Sequence, residues 1–313
     1  MTRILITGSS GFIGKNLLEA FSGRYEIHAP SSTELDLMEE HGVRRYLETG
    51  NFDVIVHAAT ARSNRRLAAP LDLLDRNCRM FFNLARNEHL FDKLIYFGSG
   101  AEFSRHAQPP RVSEDYFDAC VPKDAYGFSK YICTKYAERN SKIVNLRLFG
   151  VFGKYEAWDV RFISNACARV VCGLPIVIRQ NVVFDYLYVS DLAKIVEWYI
   201  ENTSRHTSYN VCTGRSWELR ELAEIVATVS GRNPELLLMS SGMGAEYTAD
   251  NSRLLNEIPE IRFTPMQRGI EELYQWYQEN KNAIDPSLLD YDGHNQESPI
   301  ERYRVCNVFN AAR

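Results

Sequence analysis

No stretch of this 313-residue chain approaches 18 uninterrupted apolar residues, so none reads as a membrane-spanning helix. Nor does a cationic segment ahead of an apolar signal region open it; the chain runs straight into a strand, and the expectation is a cytoplasmic protein with no membrane partner. Neither sign of charge dominates. A formal net charge of −4 gives no general attraction to nucleic acid, so none is expected as a partner, and an anionic ligand has to be held by a local cluster. No low-complexity run argues for disorder. The seven cysteines (Cys78, Cys120, Cys133, Cys167, Cys172, Cys212 and Cys306) are odd in number and form no Cys-x-x-Cys pair, and no His partners follow Cys167 and Cys172. Buried reduced thiols are therefore expected, with no metal site. At 45% hydrophobic content the chain can bury one large core or two unequal ones.

What is present begins at the first residues. Arg3-Ile4-Leu5-Ile6-Thr7 reads as a buried strand, and Gly8-Ser9-Ser10-Gly11-Phe12-Ile13-Gly14 turns from it directly into a helix. Gly8 suits the tight turn, Gly11 lets backbone amides approach a pyrophosphate, and Gly14 allows the helix to pack closely on the strand. With the free N–H groups of the helix start, this stretch makes Gly8, Ser10, Gly11, Phe12, Ile13 and Gly14 candidate dinucleotide contacts. A second strand, Tyr25 to Ala29, ends at Pro30-Ser31-Ser32, where an adenosine ribose would lie. An acidic residue there would favour NAD and repel a 2′-phosphate. Ser31 and Ser32 stand there instead, so NADP(H) is favoured and NAD(H) remains possible, since no Arg is present to secure the phosphate.

Further buried strands follow at Phe52 to Thr60, Leu94 to Ser99 and Val144 to Leu148, alternating with helices. That alternation implies an α/β fold, a doubly wound parallel sheet with ligands outside the carboxyl ends of its strands. A second, smaller α/β domain is expected. The dinucleotide-binding domain is placed at residues 1–150 plus about 183–212, the substrate domain at about 151–182 and 213–284, and a polar tail at 285–313. Tyr126 and Lys130 stand at i and i+4, on one face of a helix. A fixed ammonium beside a phenol favours phenolate and brings its pKa of about 10 towards neutrality, so Tyr126 can pass a proton to a carbonyl oxygen as hydride reaches its carbon. Ser99 ends the preceding strand, and its hydroxyl can stabilise charge on the same oxygen.

The glycine turn with Thr7 before it, Asn77, Ser99 four places before Phe103, and Tyr126-x-x-x-Lys130 resemble the extended short-chain dehydrogenase/reductases of the NAD-dependent epimerase/dehydratase type, nearest to nucleotide-sugar 4-ketoreductases. The resemblance covers about residues 1 to 280. It implies that Asp36 and Leu37 lie at the adenine, that Ala58 and Ala59 let the cofactor rest against backbone, and that Asn77 supports the active site. It also implies that Lys130 reaches the nicotinamide ribose, that His57 is structural, and that the protein is a homodimer. Departures from the family pattern narrow the chemistry. The Asp-Glu pair of 4,6-dehydratases is replaced by Gly100 and Ala101, which become candidate substrate contacts; Glu102 is one place out of phase and faces the other way if the segment is extended. Ala101 and Arg161 stand where the epimerase/reductases similar to GDP-fucose synthase carry Cys and His. Gly150 replaces a frequent Asn, and Phe184 an Arg that often binds the diphosphate, leaving Arg161, Arg179 and Arg215 as candidates for it. Reduction of a nucleotide-linked, 4-keto-6-deoxy sugar is the expected activity, also because the short segment Ser31–Leu37 resembles that of sugar reductases. An NAD-dependent 4-epimerase and a non-catalytic dinucleotide sensor are the alternatives.

Overall fold

The computed structural model describes residues 1–61, 72–105 and 107–289 and the backbone of Tyr303–Arg304. It divides into two units, Met1–Val151 with Asp185–Arg215 and Tyr247–Phe263, and Phe152–Phe184 with Ser216–Glu246 and the chain from Thr264 onward.

In the first unit Ile4 and Ile6 face one side of the opening strand and Leu5 the other, and all three are fully buried. A strand apolar on both faces has to lie inside a sheet covered on both sides. Six strands form it: β1 (Arg3–Thr7), β2 (Glu26–His28), which is a partly exposed edge, β3 (Val54–His57), β4 (Lys93–Ser99), β5 (Ile143–Leu148) and β6 (Ser208–Val211). They are parallel throughout, in the order β2-β1-β3-β4-β5-β6. The doubly wound sheet expected from the strand–helix alternation is thus present. Helices α1 (Phe12–Phe21) and α5 (Val189–Glu201) cover the face that carries Ile4, Ile6, Val54, Val56, Ile95 and Leu146. Helices α2 (Glu40–Gly50), α3 (Leu73–Ala85) and α4 (Ala125–Ala137) cover the other, where Leu5, Ile55, Leu94 and Tyr96 meet Val43, Leu47, Phe81, Leu84 and Cys133. Alternate residues of one strand therefore feed two separate cores.

The chain leaves β1 towards β2 on one side and returns to add β3 on the other, so strand order reverses there. In open sheets of this kind, ligands bind outside the carboxyl ends of the strands at such a reversal. The register sets Thr7 opposite His57, which brings the Gly8 turn beside Ala58 and Ala59.

In the second unit helices Phe162–Val171, Leu219–Ser230 and Met266–Glu279 pack on one another around Ile163, Cys167, Leu222, Val226, Ile270 and Leu273. A parallel strand pair, Ile176–Asn181 with Leu236–Met243, accompanies them, and Tyr303–Arg304 adds antiparallel to Leu237–Leu238. Within the expected 285–313 tail, Asp285 accepts the Ser287 N–H at 3.0 Å to start a short turn and Leu289 is buried. Residues 290–302 and 305–313, and with them Cys306, lie outside the described residues.

Among the described residues no disulfide forms; Cys133, Cys167 and Cys212 are buried as expected, whereas Cys78, Cys120 and Cys172 are partly exposed. No described helix is long and apolar enough to cross a membrane, and no described cluster of His, Cys, Asp and Glu is arranged to hold a metal.

Candidate active site

The glycine turn is built by close approach. Gly8 has φ +71°, and a Cβ on it would stand 2.4 Å from the Ala59 nitrogen. At Gly14 a Cβ would meet the Gly8 carbonyl oxygen at 2.3 Å, whereas at Gly11 the same oxygen would be 3.2 Å away. Gly11 donates to that carbonyl at 3.0 Å and serves as N-cap of α1, where no side chain caps the helix. The first turn, around Phe12 and Ile13, is thus a helix start of the kind whose amides suit an anion. Ala58 and Ala59, both half-buried, follow the end of β3.

At the ribose end the structure adds a group. Ser31 and Ser32 are exposed after β2, but the Glu34 carboxylate accepts both the Ser31 N–H and its hydroxyl, each at 2.8 Å. These bonds, the backbone one first, hold the Glu34 carboxyl below the usual carboxylate range. An acidic group does stand at this strand end, three residues beyond the position where the sequence reading looked for one. Asp36 accepts the Met38 N–H at 2.9 Å, and Leu37 is buried.

His57 lies inside the fold. Its Nδ1 is 2.8 Å from the Thr7 hydroxyl and its ring stacks on Tyr96, and burial, with Lys130 second, pushes its pKa down to about 3. It is a neutral interior group. Asn77, on α3, accepts the Ala61 N–H at 2.8 Å and donates to the Ser129 hydroxyl of α4 at 3.3 Å. It ties the segment after β3 to the helix that carries Tyr126 and Lys130.

Asp124 starts that helix by accepting the Gly127 N–H at 2.8 Å. Lys130 is 5% exposed; its Nζ donates to the Phe97 carbonyl at 2.7 Å, sits 4.6 Å over the Tyr96 ring and lies 5.9 Å from the Tyr126 ring centre. Tyr126 is half-buried. Ser99 ends β4, and the turn after it packs under the start of α4, where a Cβ on Gly127 would stand 2.8 Å from the Ala101 carbonyl oxygen.

The segment after Ser99 is not extended. Gly100–Phe103 is a 3-10 turn in which Glu102 curls back, accepts the Ser99 N–H at 2.8 Å and pairs with Arg147 at 2.7 Å, both side chains fully buried. The cause is a reciprocal cap, in which the Ser99 hydroxyl accepts the Ala101 N–H at 3.2 Å.

A further residue reaches the same place. A Cβ on Gly100 would stand 2.6 Å from the Tyr247 hydroxyl oxygen and 2.6 Å from the Phe149 ring. Burial raises the Tyr247 phenol, while Arg105 and the Ser99 hydroxyl beside it act in the opposite sense. Its backbone is fixed by the Asp185 N–H, which donates to the Tyr247 carbonyl at 3.3 Å. More than a hundred residues separate Tyr247 from Tyr126, and no local pattern marks it. The arginines expected at the diphosphate are all exposed: Arg161 immediately precedes helix Phe162–Val171, Arg179 lies on strand Ile176–Asn181, and Arg215 ends the second of the first unit's three segments.

A glycine turn at a strand reversal, with Ser, Tyr and Lys beside the carboxyl end of β4, defines a dinucleotide-dependent oxidoreductase type of site. The chain belongs to the NAD dependent epimerase/dehydratase family, which it matches over residues 4–212. It is similar to GDP-L-colitose synthase of Yersinia pseudotuberculosis, 23% identical with 90% of this chain and 99% of that protein covered. It is also similar to dTDP-4-dehydro-6-deoxyglucose reductase of Escherichia coli, 25% identical with 71% and 80% covered. In fold it is like the GDP-mannoheptose C4 reductase of Campylobacter jejuni solved with NADP bound, with a TM-score of 0.76, 20% identity, and 88% and 98% of the two chains covered.

Proposed function

We propose that this protein reduces the keto group of a nucleotide-linked, 4-keto-6-deoxy sugar with NAD(P)H. The observation that carries the reading is the placement of Ser99 and the Tyr126–Lys130 pair at one strand end, beyond the glycine turn of the same sheet. The bound dinucleotide supplies the hydride. Tyr126 delivers the proton that the sugar oxygen needs as its carbon is reduced, and Ser99 donates a hydrogen bond to the same oxygen while charge develops on it. Lys130, a buried cation held by the Phe97 carbonyl, favours the phenolate that remains and offers a donor to the ribose. Asn77 keeps the helix of Tyr126 in register with the segment after β3.

The first unit is the dinucleotide-binding part, with its Gly100 and Ala101 as contacts for the sugar, and Arg161, Arg179 and Arg215 are the candidates for the diphosphate. The relatives' names and the NADP bound to a neighbour of like fold support this substrate class and the phosphorylated cofactor. We place the protein in the cytoplasm as a homodimer, using α3 and α4, which pack side by side.

One observation favours a second reading, an NAD-dependent 4-epimerase. The Glu34 carboxylate on Ser31 suits a free ribose 2′-hydroxyl better than a 2′-phosphate. Net cofactor oxidation separates the two. With dTDP-4-dehydro-6-deoxyglucose and its GDP-linked counterparts as probes, a reductase consumes one NAD(P)H per product two mass units heavier. An isomerised product with no net oxidation moves the assignment to the epimerase. Tyr126→Phe is expected to lower kcat by a factor on the order of a hundred or more while cofactor affinity stays nearly unchanged; turnover at the wild-type rate would reject the mechanism.

A further inference from the structure

We propose that Glu102 and Arg147 are positioning residues for Ser99, a buried ion pair whose carboxylate fixes the serine backbone and so sets the direction in which its hydroxyl donates. The proposal rests on reading Ser99 as a group that touches the reacting oxygen. One Glu102 oxygen accepts the Ser99 N–H at 2.8 Å, and the other accepts the Arg147 Nε–H at 2.7 Å. The turn this creates lets the Ser99 oxygen accept the Ala101 N–H at 3.2 Å. A hydroxyl has one proton and two lone pairs. With a lone pair engaged by the Ala101 amide, the proton is directed away from it.

The pair is enclosed within the first unit. The Arg147 guanidinium lies 4.6 Å from the Phe103 ring and 5.0 Å from the Phe117 ring, and its Nη1 donates to Asn210 Oδ1 at 3.4 Å. Asn210 is itself fixed, its N–H donating to Glu114 at 2.7 Å and its Nδ2 to the Val112 carbonyl at 3.0 Å. Gly98 makes room, because a Cβ there would come within 2.3 Å of Glu102 Oε1 and 2.2 Å of Asn145 Oδ1. Stability does not account for this pair: apolar residues of the same volume often serve a buried site as well or better. What they lack is an acceptor for the Ser99 N–H.

The test compares two double variants that both remove the buried charges and so leave neither stranded. Glu102→Leu/Arg147→Met has no acceptor for the Ser99 N–H; Glu102→Gln/Arg147→Met retains an amide oxygen for it. Each is assayed with NADPH or NADH and dTDP-4-dehydro-6-deoxyglucose or a GDP-linked 4-keto-6-deoxyhexose, whichever the wild type turns over. The Leu/Met variant is expected to lose about tenfold or more in kcat at a cofactor KM within about twofold, and the Gln/Met variant to stay within about threefold of wild type. In a Ser99→Ala background the Leu/Met change is expected to cost less than about twofold, since its effect passes through the missing hydroxyl. Wild-type turnover by the Leu/Met variant, or the same loss with and without Ser99, overturns the proposal. Full turnover by Ser99→Ala alone would instead remove the role assigned to Ser99, and a wild type that reduces none of these keto sugars would remove the functional reading; in either case the positioning role goes with it.

Discussion

Glu34 accepts two hydrogen bonds from Ser31, through its amide and its hydroxyl, and these are the donors that a ribose 2′-phosphate would use. A phosphate arriving there has to displace a carboxylate and then sit beside its charge. Glu34→Gln is therefore expected to raise the ratio of kcat/KM for NADPH over NADH by at least about threefold, the effect shrinking at high salt because the group is exposed. A ratio that does not move would show that Glu34 turns away when cofactor binds. The two serines were visible from the sequence, and so was the lack of an acidic residue beside them. The carboxylate three residues further on was not read as part of the site, because only the turn that folds it back onto Ser31 makes it a neighbour.

At the scale of the element, α1 depends on how near it can approach β1. An added methyl at Gly14 would press on the Gly8 carbonyl at 2.3 Å and the Ser9 Cα at 2.7 Å, and backbone atoms cannot swing aside as a side chain can. Gly14→Ala is expected to tilt the helix start away from the turn and weaken cofactor binding by about tenfold or more. Gly11→Ala, whose nearest contact would be 3.2 Å, should weaken it less. Calorimetric titration with NADPH and NADH reads both, and equal affinities for the two variants would detach the turn from the cofactor. The strand, the glycine spacing and the helix were all legible because each is a local signal. So was the shared face of Tyr126 and Lys130 on α4. The partners of Lys130 were not: the Phe97 carbonyl and the Tyr96 ring come from β4, thirty-odd residues back along the chain.

Across the whole molecule the first unit buries a histidine that its unfolded chain would expose. His57 has a pKa of about 3 in the fold, against about 6.5 when exposed, so between those values the unfolded chain binds a proton that the folded chain does not. The stabilisation from keeping the ring neutral is fully present above about pH 6.5 and is lost as pH falls towards 3, at up to roughly 1.4 kcal/mol per pH unit. Urea unfolding at pH 7 and pH 5 should show about 2 kcal/mol of such loss in the wild type, absent in His57→Asn. Equal pH dependence in the two proteins would mean that the ring titrates normally.

The sequence by itself determined an α/β fold around a parallel sheet, since strands apolar on both faces and alternating with helices must be covered on both sides, and the glycine turn after the first strand pointed to its doubly wound form. It also singled out, on short spacings, the residues proposed to carry chemistry: Gly8 to Gly14, Ser99, and Tyr126 with Lys130. Tertiary structure alone decided what surrounds them. Glu102 turned inward because a cap on Ser99 and a buried Arg147, forty-five residues away, offered its carboxylate more than solvent did. Tyr247 came to Gly100 because backbone bonds at Asp185 and a Val112–Ala249 bridge fix its segment there. Periodicity and motif spacing record contacts within a few residues; a hydrogen bond between distant segments leaves no such record, and it exists only once the sheet has brought them together.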